Sequence, residues 1–308
     1  MLAAFLTTVL FSISAVSGNR TARLMGGTDA NFWRLGFASV LLGLYAHLFG
    51  GALAGVAFPV FLVSGCIGFG IGDLALFQAL PRLGSRVSVM LTLCLSSPLA
   101  AAMEWVWLGT GLTVAEILCG LIILAGVALA LAPSGHLLVS RGQFWIGLTF
   151  GLVAALCQAY GAVLSRQAFA LGRASGEDID GITAAYQRIL GGVLLTALSL
   201  LIVKRGPIAA ALANAADHAA RREQWRRAWP WVLLNGLAGP ALGVSCYQWA
   251  LKTTPTGVVL PIVAITPLVI IPFSHYVEGE RPTWRSLAGG VVAVAGAVAL
   301  ALVARGGP

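Results

Sequence analysis

The pentapeptide LFQAL at residues 76–80 and the pentapeptide YQWAL at residues 247–251 head two stretches of similar sequence. The same residue types follow each pentapeptide in the same order: Pro98, Gly109, Gly120 and Ala125–Gly126 in the first stretch, and Pro267, Gly279, Gly290 and Ala295–Gly296 in the second. The spacing of the two glycines before the Ala–Gly pair is identical in both stretches. Upstream, NFWRL at residues 31–35 is echoed by AYQRI at residues 185–189. This order predicts an internal duplication of most of the chain.

The composition excludes a soluble globular protein. Of 308 residues, 58% are hydrophobic and 10% are charged, and the mean hydropathy is +0.90, whereas soluble domains carry about 25% charged residues. The net charge of +8 does not indicate a nucleic-acid partner, because the Lys and Arg residues lie between apolar stretches rather than in one patch. The five cysteines each stand alone in an apolar stretch, so we expect neither a disulfide framework nor a zinc site.

Ten apolar windows are long enough to cross a bilayer as helices, which takes about 20 residues each. They are uniformly apolar and lack the period of two that membrane barrel strands show. We therefore predict an all-α polytopic membrane protein. The predicted spans cover residues 2–23, 31–49, 57–80, 85–107, 113–132, 143–168, 182–203, 230–251, 256–277 and 283–304.

Because each half contains five spans, the second half enters the membrane upside down relative to the first, which makes an inverted repeat. We predict a first repeat at residues 1–132, a linker at 133–142 and a second repeat at 143–304. The loops after odd-numbered spans hold roughly thirteen Lys and Arg residues against roughly four elsewhere, so the positive-inside rule places both termini outside the cytoplasm.

A polar insert at residues 204–229 interrupts the second repeat. It ends in a basic and aromatic cluster: Arg221, Arg222, Trp225, Arg226, Arg227 and Trp229. This pattern predicts either a helix lying at the membrane interface or a solvated loop with a tryptophan anchor. In the third span, Gly65, Gly68 and Gly72 form a stripe of small residues that predicts close packing of helices.

These motifs together resemble the drug/metabolite transporter superfamily, specifically its ten-helix EamA-type members. The resemblance lies in the Ala–Leu pair, the proline in the fourth span of each half, the Leu–Gly–Glu-type corner and the G-x5-G pattern that ends in Ala–Gly. The corner is complete at residues 278–281, but Thr110 stands where the first half would carry an acidic residue. The resemblance covers nearly the whole chain. It implies a ten-helix bundle, a cavity lined by both halves, and export or exchange of small polar metabolites such as amino acids.

Asp73 is the first candidate for a substrate-binding residue. It lies in the third span with no cation within one helical turn, and an uncompensated carboxylate inside a membrane is costly and indicates function. Its counterpart in the second half is Val244, so folding of the helix does not require an acid there. The carboxylate could carry a proton or face a substrate amine, or it could bond to hydroxyl groups of a neighbouring helix.

Further substrate-binding candidates are amide, hydroxyl and aromatic side chains within the spans. Amides in an apolar helix need hydrogen-bond partners and suit a zwitterionic ligand, although contacts between helices would use the same residue types. The candidates are Ser12, Ser14, Gln78, Gln158, Tyr160, Tyr247, Gln248 and Trp249.

Two prolines and two arginines occupy equivalent places in the halves. Pro98 and Pro267 each remove a backbone hydrogen bond and are candidates for bending their helices. Arg34 and Arg188 lie one to two turns inside their spans, and we expect them to extend to the membrane interface. Binding of a substrate carboxylate is the alternative role for these arginines.

The sequence predicts a secondary transporter that exports or exchanges a small, amino-acid-like metabolite by alternating access. A polytopic membrane enzyme and a membrane partner or regulatory subunit are the alternatives. The chain has no HExxH or GxSxG motif and no paired acids within a span, so we predict no enzymatic activity, no metal site and no cofactor.

The predicted partners are the lipid bilayer and a small-molecule substrate, with protons as a candidate coupled ion and no nucleic acid. One chain supplies both halves, so a monomer suffices, and a dimer is also compatible with the sequence. We expect the protein in a bacterial inner (plasma) membrane.

Overall fold

The computed structural model describes residues 2–108, 113–131, 140–203, 217–254, 256–279 and 282–306. These residues form ten helices. The first repeat contains α1 Leu2–Met25, α2 Gly27–Leu48, α3 Phe58–Leu83, α4 Ser85–Leu108 and α5 Val114–Leu131. The second contains α6 Arg141–Ala174, α7 Gly181–Val203, α8 in the segments Asp217–Gly236, Leu237–Gly243 and Val244–Thr253, α9 in the segments Thr256–Val263 and Thr266–Glu278, and α10 Trp284–Gly306.

The helices belong to an integral membrane protein. Five stretches, in α1, α3, α6, α7 and α9, are both long and apolar enough to cross a membrane. Large apolar side chains such as Leu44, Leu121 and Leu194 are exposed on outer helix faces, as contact with lipid requires. The all-α polytopic fold predicted from the sequence is confirmed.

The packing of the helices follows the duplication. α2 packs against α7, and α5 packs against α10, so each pair joins equivalent helices of the two repeats. α1 packs against α8 and α9, and its equivalent α6 packs against α3 and α4 in the same way. This exchange of neighbours is what a two-fold relation between inverted repeats produces.

α3 and α8 each contain a π-helical segment at equivalent positions, Cys66–Gly72 and Leu237–Gly243. The Asp73 backbone N–H donates to the Gly68 carbonyl, and the Val244 N–H donates to the Gly239 carbonyl. Such i→i−5 bonds are rare and occur mostly at functional sites. The predicted spans contained no such segments, because hydropathy does not register a change in hydrogen-bond spacing.

The equivalent helices α4 and α9 differ at their prolines. α4 continues as one helix through Pro98, whereas α9 is interrupted just before Pro267. Pro267 has no N–H for the Val263 carbonyl, which instead accepts a hydrogen bond from Thr266 Oγ1 at 2.5 Å. Thr8 Oγ1 on α1 donates to the Ile262 carbonyl at 3.2 Å. Side chains of α1 and α9 therefore satisfy the backbone at the interruption.

The described part of the polar insert is a helical extension of α8, which begins at Asp217 rather than near residue 230. Ion pairs from Glu223 to Arg226 and Arg227 at i+3 and i+4 support this extension. Trp225 packs edge-on against Trp33, with 4.9 Å between ring centroids. A solvated loop is therefore wrong for this part of the insert. Residues 204–216, linker residues 133–139, and the corner residues 109–112 and 280–281 lie outside the described parts of the chain.

Candidate functional site

A cavity lies between the two repeats. Its walls come from α1, α2, α3 and α4 of the first repeat and from α6, α7 and α8 of the second. Water-sized space inside it amounts to about 90 Å³, which is several times the 10–15 Å³ or so that one water needs by the same measure. Its polar lining residues are Ser14, Arg34, Asp73, Thr92, Gln158, Arg188 and Tyr247.

Asp73 forms a largely buried ion pair with Arg34 on the cavity wall. Asp73 follows the π-helical segment of α3, and Arg34 Nη2 on α2 donates to Asp73 Oδ2. Arg34 Nε donates to Asn31 Oδ1 at 2.9 Å, and the guanidinium lies over the Phe77 ring. The expectations of an uncompensated Asp73 and of an Arg34 that extends to the interface are both wrong. The ion pair joins two helices, so a search for a cation within one turn could not find it.

Arg188 occupies the equivalent position on α7 and is also buried rather than interfacial, with 3% of its surface exposed. Its guanidinium lies 5.0 Å from the centre of the Phe69 ring. Within the described part of the chain, its Nε has no hydrogen-bond partner. Asp73 is near enough to attract it electrostatically, but the direct ion pair of that carboxylate is with Arg34. The prediction that Arg188 extends to the interface is wrong, because α7 presents it to the cavity.

The glycine stripe of α3 explains how Arg188 reaches the cavity. A methyl group on Gly65 would lie 1.7 Å from the Arg188 carbonyl oxygen, so only glycine permits this crossing of α3 and α7. A methyl group on Gly68 would lie 3.0 Å from Arg188 Nη2, and one on Gly161 of α6 would lie 3.2 Å from the same atom. The predicted close packing at this stripe is present, and it shapes the space around the guanidinium.

Three of the uncharged candidates also line the cavity. Ser14 Oγ donates to Asn235 Oδ1 at 2.7 Å and so joins α1 to α8. The Tyr247 hydroxyl is buried and has no hydrogen-bond partner of ordinary geometry among the described residues. Its polar neighbours are Arg188 and Gln158. Together with Asp73, these residues bring four of the nine substrate-binding candidates to one cavity.

The structure puts the other five candidates away from the cavity lining. Ser12 donates to the Thr8 carbonyl at 2.8 Å and to the Thr266 carbonyl at 3.5 Å, and Gln78 accepts from Arg82 near the end of α3. Tyr160 is half-buried on α6. Gln248 is fully buried, with neither amide atom bonded among the described residues, and Trp249 is 63% exposed on the outer surface.

The described residues contain no group of three or more His, Cys, Asp and Glu side chains that could hold a metal ion. All five cysteines are free. For Arg34 and Arg188 the sequence favoured the membrane interface and gave substrate binding only as the alternative, whereas both line the cavity. Their equivalence in the two repeats was visible in NFWRL and AYQRI, and it is the signal that could have indicated a shared site.

Comparison with known proteins assigns the chain to a family. The profile of the EamA-like transporter family matches residues 1–132 and 145–302, one domain in each half. The chain belongs to the EamA-like transporter family. This EamA-like protein is thus a member of the drug/metabolite transporter superfamily, as its motifs indicated.

A relative of this EamA-like protein is described as a "probable terminal-alkyne amino-acid exporter" from Streptantibioticus cattleyicolor. The two sequences are 34% identical over 96 residues, which is 30% of this chain and 31% of the relative. The chain therefore matches about a third of that relative's length. A crystal structure, described only as that of a protein, superposes with a TM-score of 0.67 at 17% identity and covers 99% of this chain and 96% of the other. This likeness shows a shared fold.

The two matched EamA domains together enclose the cavity. Arg34 and Asp73 come from the first domain, and Gln158, Arg188 and Tyr247 come from the second. In this EamA-like transporter the charged groups therefore meet where the two inverted repeats face each other, which is where transporters built from such repeats bind their substrates.

Proposed function

We propose that this protein is a secondary transporter that exports or exchanges a small, amino-acid-like metabolite by alternating access. One observation carries the proposal: a polar cavity between inverted repeats holds three charged side chains, of which Arg34 and Arg188 are buried and Asp73 is partly buried. Charged groups inside a membrane are costly and are typical of substrate or ion pathways. A zwitterionic solute complements such a lining, since it carries one group of each sign.

The partial likeness to an amino-acid exporter supports the same class of substrate and the outward direction. That relative comes from a bacterium, which supports a bacterial plasma membrane as the location. We assign Asp73, Ser14, Gln158 and Tyr247 to the substrate-binding lining, together with the two arginines. A single chain forms the whole cavity, so a monomer suffices for transport.

Counterflow in proteoliposomes tests the proposal. Vesicles loaded with an unlabelled mixture of the common amino acids should accumulate the same mixture in labelled form without ATP. Asp73→Asn should reduce this uptake at least about tenfold, since loss of one buried charge leaves Arg34 unpaired. Asp178→Asn is the matched control, because Asp178 is 89% exposed and lies outside the cavity lining.

Equal uptake by wild type and Asp73→Asn would remove Asp73 from the mechanism. No uptake by wild-type vesicles would contradict transport of amino acids. Proton coupling is tested in the same vesicles: a pH gradient should change the steady-state accumulation of label if protons are the coupled ion.

A further inference from the structure

We infer that Arg188 binds the carboxylate of the transported metabolite, with the Tyr247 hydroxyl as a second hydrogen-bond donor. The inference rests on the transport function proposed above and names the chemical group that the site recognises. Equivalent residues around the central arginines differ between the two repeats.

The arginine of the first repeat has two partners within its own repeat. Arg34 donates from Nε to Asn31 and from Nη2 to Asp73. The residues equivalent to these partners in the second repeat are Ala185 and Val244, from the alignment of NFWRL with AYQRI and of the two π-helical segments. Neither alanine nor valine has a side-chain acceptor. In the second repeat, Arg188 therefore has no acceptor at either of the two equivalent positions.

Within the described part of the chain, Arg188 therefore lacks the hydrogen-bonded counter-ion that Arg34 has. Only 3% of its surface is exposed, and its Nε has no hydrogen-bond partner among the described residues. A buried charge without a hydrogen-bonded counter-ion is strongly unfavourable. A ligand carboxylate would remove that penalty by taking the place that Asp73 takes in the first repeat.

The position of the guanidinium is fixed before any ligand arrives. The Phe69 ring lies on one face at 5.0 Å, Gly68 and Gly161 leave room beside Nη2, and the close crossing at Gly65 fixes the backbone of Arg188. A guanidinium held in this way loses little conformational freedom on binding, and its planar fork matches the two oxygens of a carboxylate.

Tyr247 adds a second unused donor to the same place. Its hydroxyl is buried, has no hydrogen bond of ordinary geometry among the described residues, and lies beside Arg188 and Gln158. A guanidinium can only donate and the tyrosine hydroxyl can donate as well, so a ligand carboxylate can accept from both groups. The charged lining residues are two arginines and one aspartate, and Asp73 pairs with Arg34, so Arg188 is the arginine that a ligand carboxylate can pair with.

Supplying the missing acid from the protein tests the inference. Val244 lines the cavity at the position equivalent to Asp73. Val244→Asp should pair with Arg188, block the substrate carboxylate, and reduce amino-acid counterflow at least about tenfold. Val244→Asn is the matched control, because it has nearly the same shape but no charge. It should keep more counterflow than Val244→Asp.

The melting temperatures of the two purified variants give a readout that does not require transport. If Arg188 lacks a counter-ion, Val244→Asp should melt several degrees above Val244→Asn, because only the acid completes an ion pair. If Val244→Asp melts at or below Val244→Asn, Arg188 already has a counter-ion and the inference is overturned.

Competition by amino acids and their carboxamides tests the ligand group directly. Leucinamide and phenylalaninamide, which keep the amine and side chain, should compete with labelled amino acids at least about tenfold more weakly than leucine and phenylalanine. Arg188→Gln should abolish this preference. Equal competition by acids and amides in vesicles that transport amino acids would overturn the role of Arg188 and leave the proposed function standing. Absence of flux in wild-type vesicles would instead contradict the proposed function itself.

Discussion

The first and second repeats pack their equivalent helices in the same way but differ in the side chains around their central arginines. In both, a π-helical segment faces the arginine of the other repeat: Gly68 approaches Arg188, and Gly239 approaches Arg34. In the first repeat, the arginine is also bonded to Asn31 and Asp73, and in the second the equivalent positions are apolar. The duplicated helices thus form the walls of the cavity, and the residues that differ between the repeats determine which polar groups line it.

The largest effect is expected where the repeats cross most closely. Gly65→Ala would bring a methyl group to 1.7 Å from the Arg188 carbonyl oxygen, so the backbones of α3 and α7 must separate. We expect a loss of about 3 kcal/mol or more in stability, measured as a lower melting temperature and a lower yield of monodisperse protein.

The equivalent change in the second repeat, Gly236→Ala, should cost less. Its methyl group would lie 3.0 Å from the Arg34 carbonyl and 2.7 Å from the Phe37 ring, which is a side chain. Gly36→Ala is the control, because nothing lies within 4 Å of its methyl group. Similar melting temperatures for Gly65→Ala and Gly36→Ala would contradict the close crossing.

Asp73→Val makes the first repeat resemble the second by removing the acid that pairs with Arg34. We expect a loss of about 3 kcal/mol in stability, because the change leaves Arg34 as an uncompensated buried charge, and the loss lies at the lower end of the range for buried pairs because Asp73 is 17% exposed. Adding Arg34→Met should recover most of this loss, since apolar replacement of a whole buried pair is often neutral. Thermal unfolding of both variants measures the effect. An unchanged melting temperature for Asp73→Val alone would mean that Arg34 does not depend on Asp73.

Asn31→Ala removes the other partner of Arg34 and should have a smaller effect. The Nε–Oδ1 hydrogen bond at 2.9 Å involves a charged donor, and such bonds contribute about 1.5–3 kcal/mol. Thr196→Ala is the control, because it removes an acceptor of the Asn31 amide without touching Arg34. Asn31→Ala should lower the melting temperature more than Thr196→Ala does. The reverse order would mean that the hydrogen bond from Arg34 to Asn31 does not contribute to stability.

The smallest effect concerns the extension of α8, which α3 does not have. The hydrogen bond from Arg227 lowers the pKa of Glu223, which lies in this exposed segment outside the apolar stretches that are long enough to cross a membrane. A lowered pKa means that the ion pair supports the helix above the ordinary pKa of glutamate, about 4.3, and that this support is lost as the pH falls through the lower value.

Acidification should therefore shift the tryptophan fluorescence of the extension below about pH 4.3, because Trp225 packs against Trp33 and Trp229. Glu223→Gln should already show the shifted spectrum at neutral pH. A wild-type spectrum in Glu223→Gln across the whole range would show that the ion pair does not support the helix.

Hydropathy and the repeat were sufficient to predict ten helices and their inversion, because the bilayer imposes length and polarity on each span. Which residues of a helix point towards the cavity is harder to predict. Tyr247, Gln248 and Trp249 are consecutive and were all candidates, but successive residues of a helix point about 100° apart. Tyr247 lines the cavity, Gln248 is buried away from it, and Trp249 is largely exposed.

Ion pairs between helices also could not be predicted from the sequence. Arg34 and Asp73 are 39 residues apart, and their contact depends on how α2 packs against α3. The same holds for the two prolines, since their equivalent positions gave no sign that α9 is interrupted while α4 continues. At the interruption, Thr8 and Ser12 of α1 donate hydrogen bonds to the Ile262 and Thr266 carbonyls of α9, and the equivalence of the two prolines in the sequence does not reveal these contacts.

The π-helical segment Cys66–Gly72 also bears on gene-level variation. A π turn accommodates more residues than an α turn, so the orientation of Asp73 relative to Gly65 depends on how many residues lie between them. In-frame deletion of a single codon within this segment would let α3 become a regular α-helix, because a π turn spans one residue more than an α turn. The residues after the deletion, including Asp73, would then keep their orientation, whereas the same deletion in a regular part of α3 would rotate every later residue by about 100°. The π-helical segment is therefore the part of α3 in which loss of one codon best preserves the contact between Asp73 and Arg34.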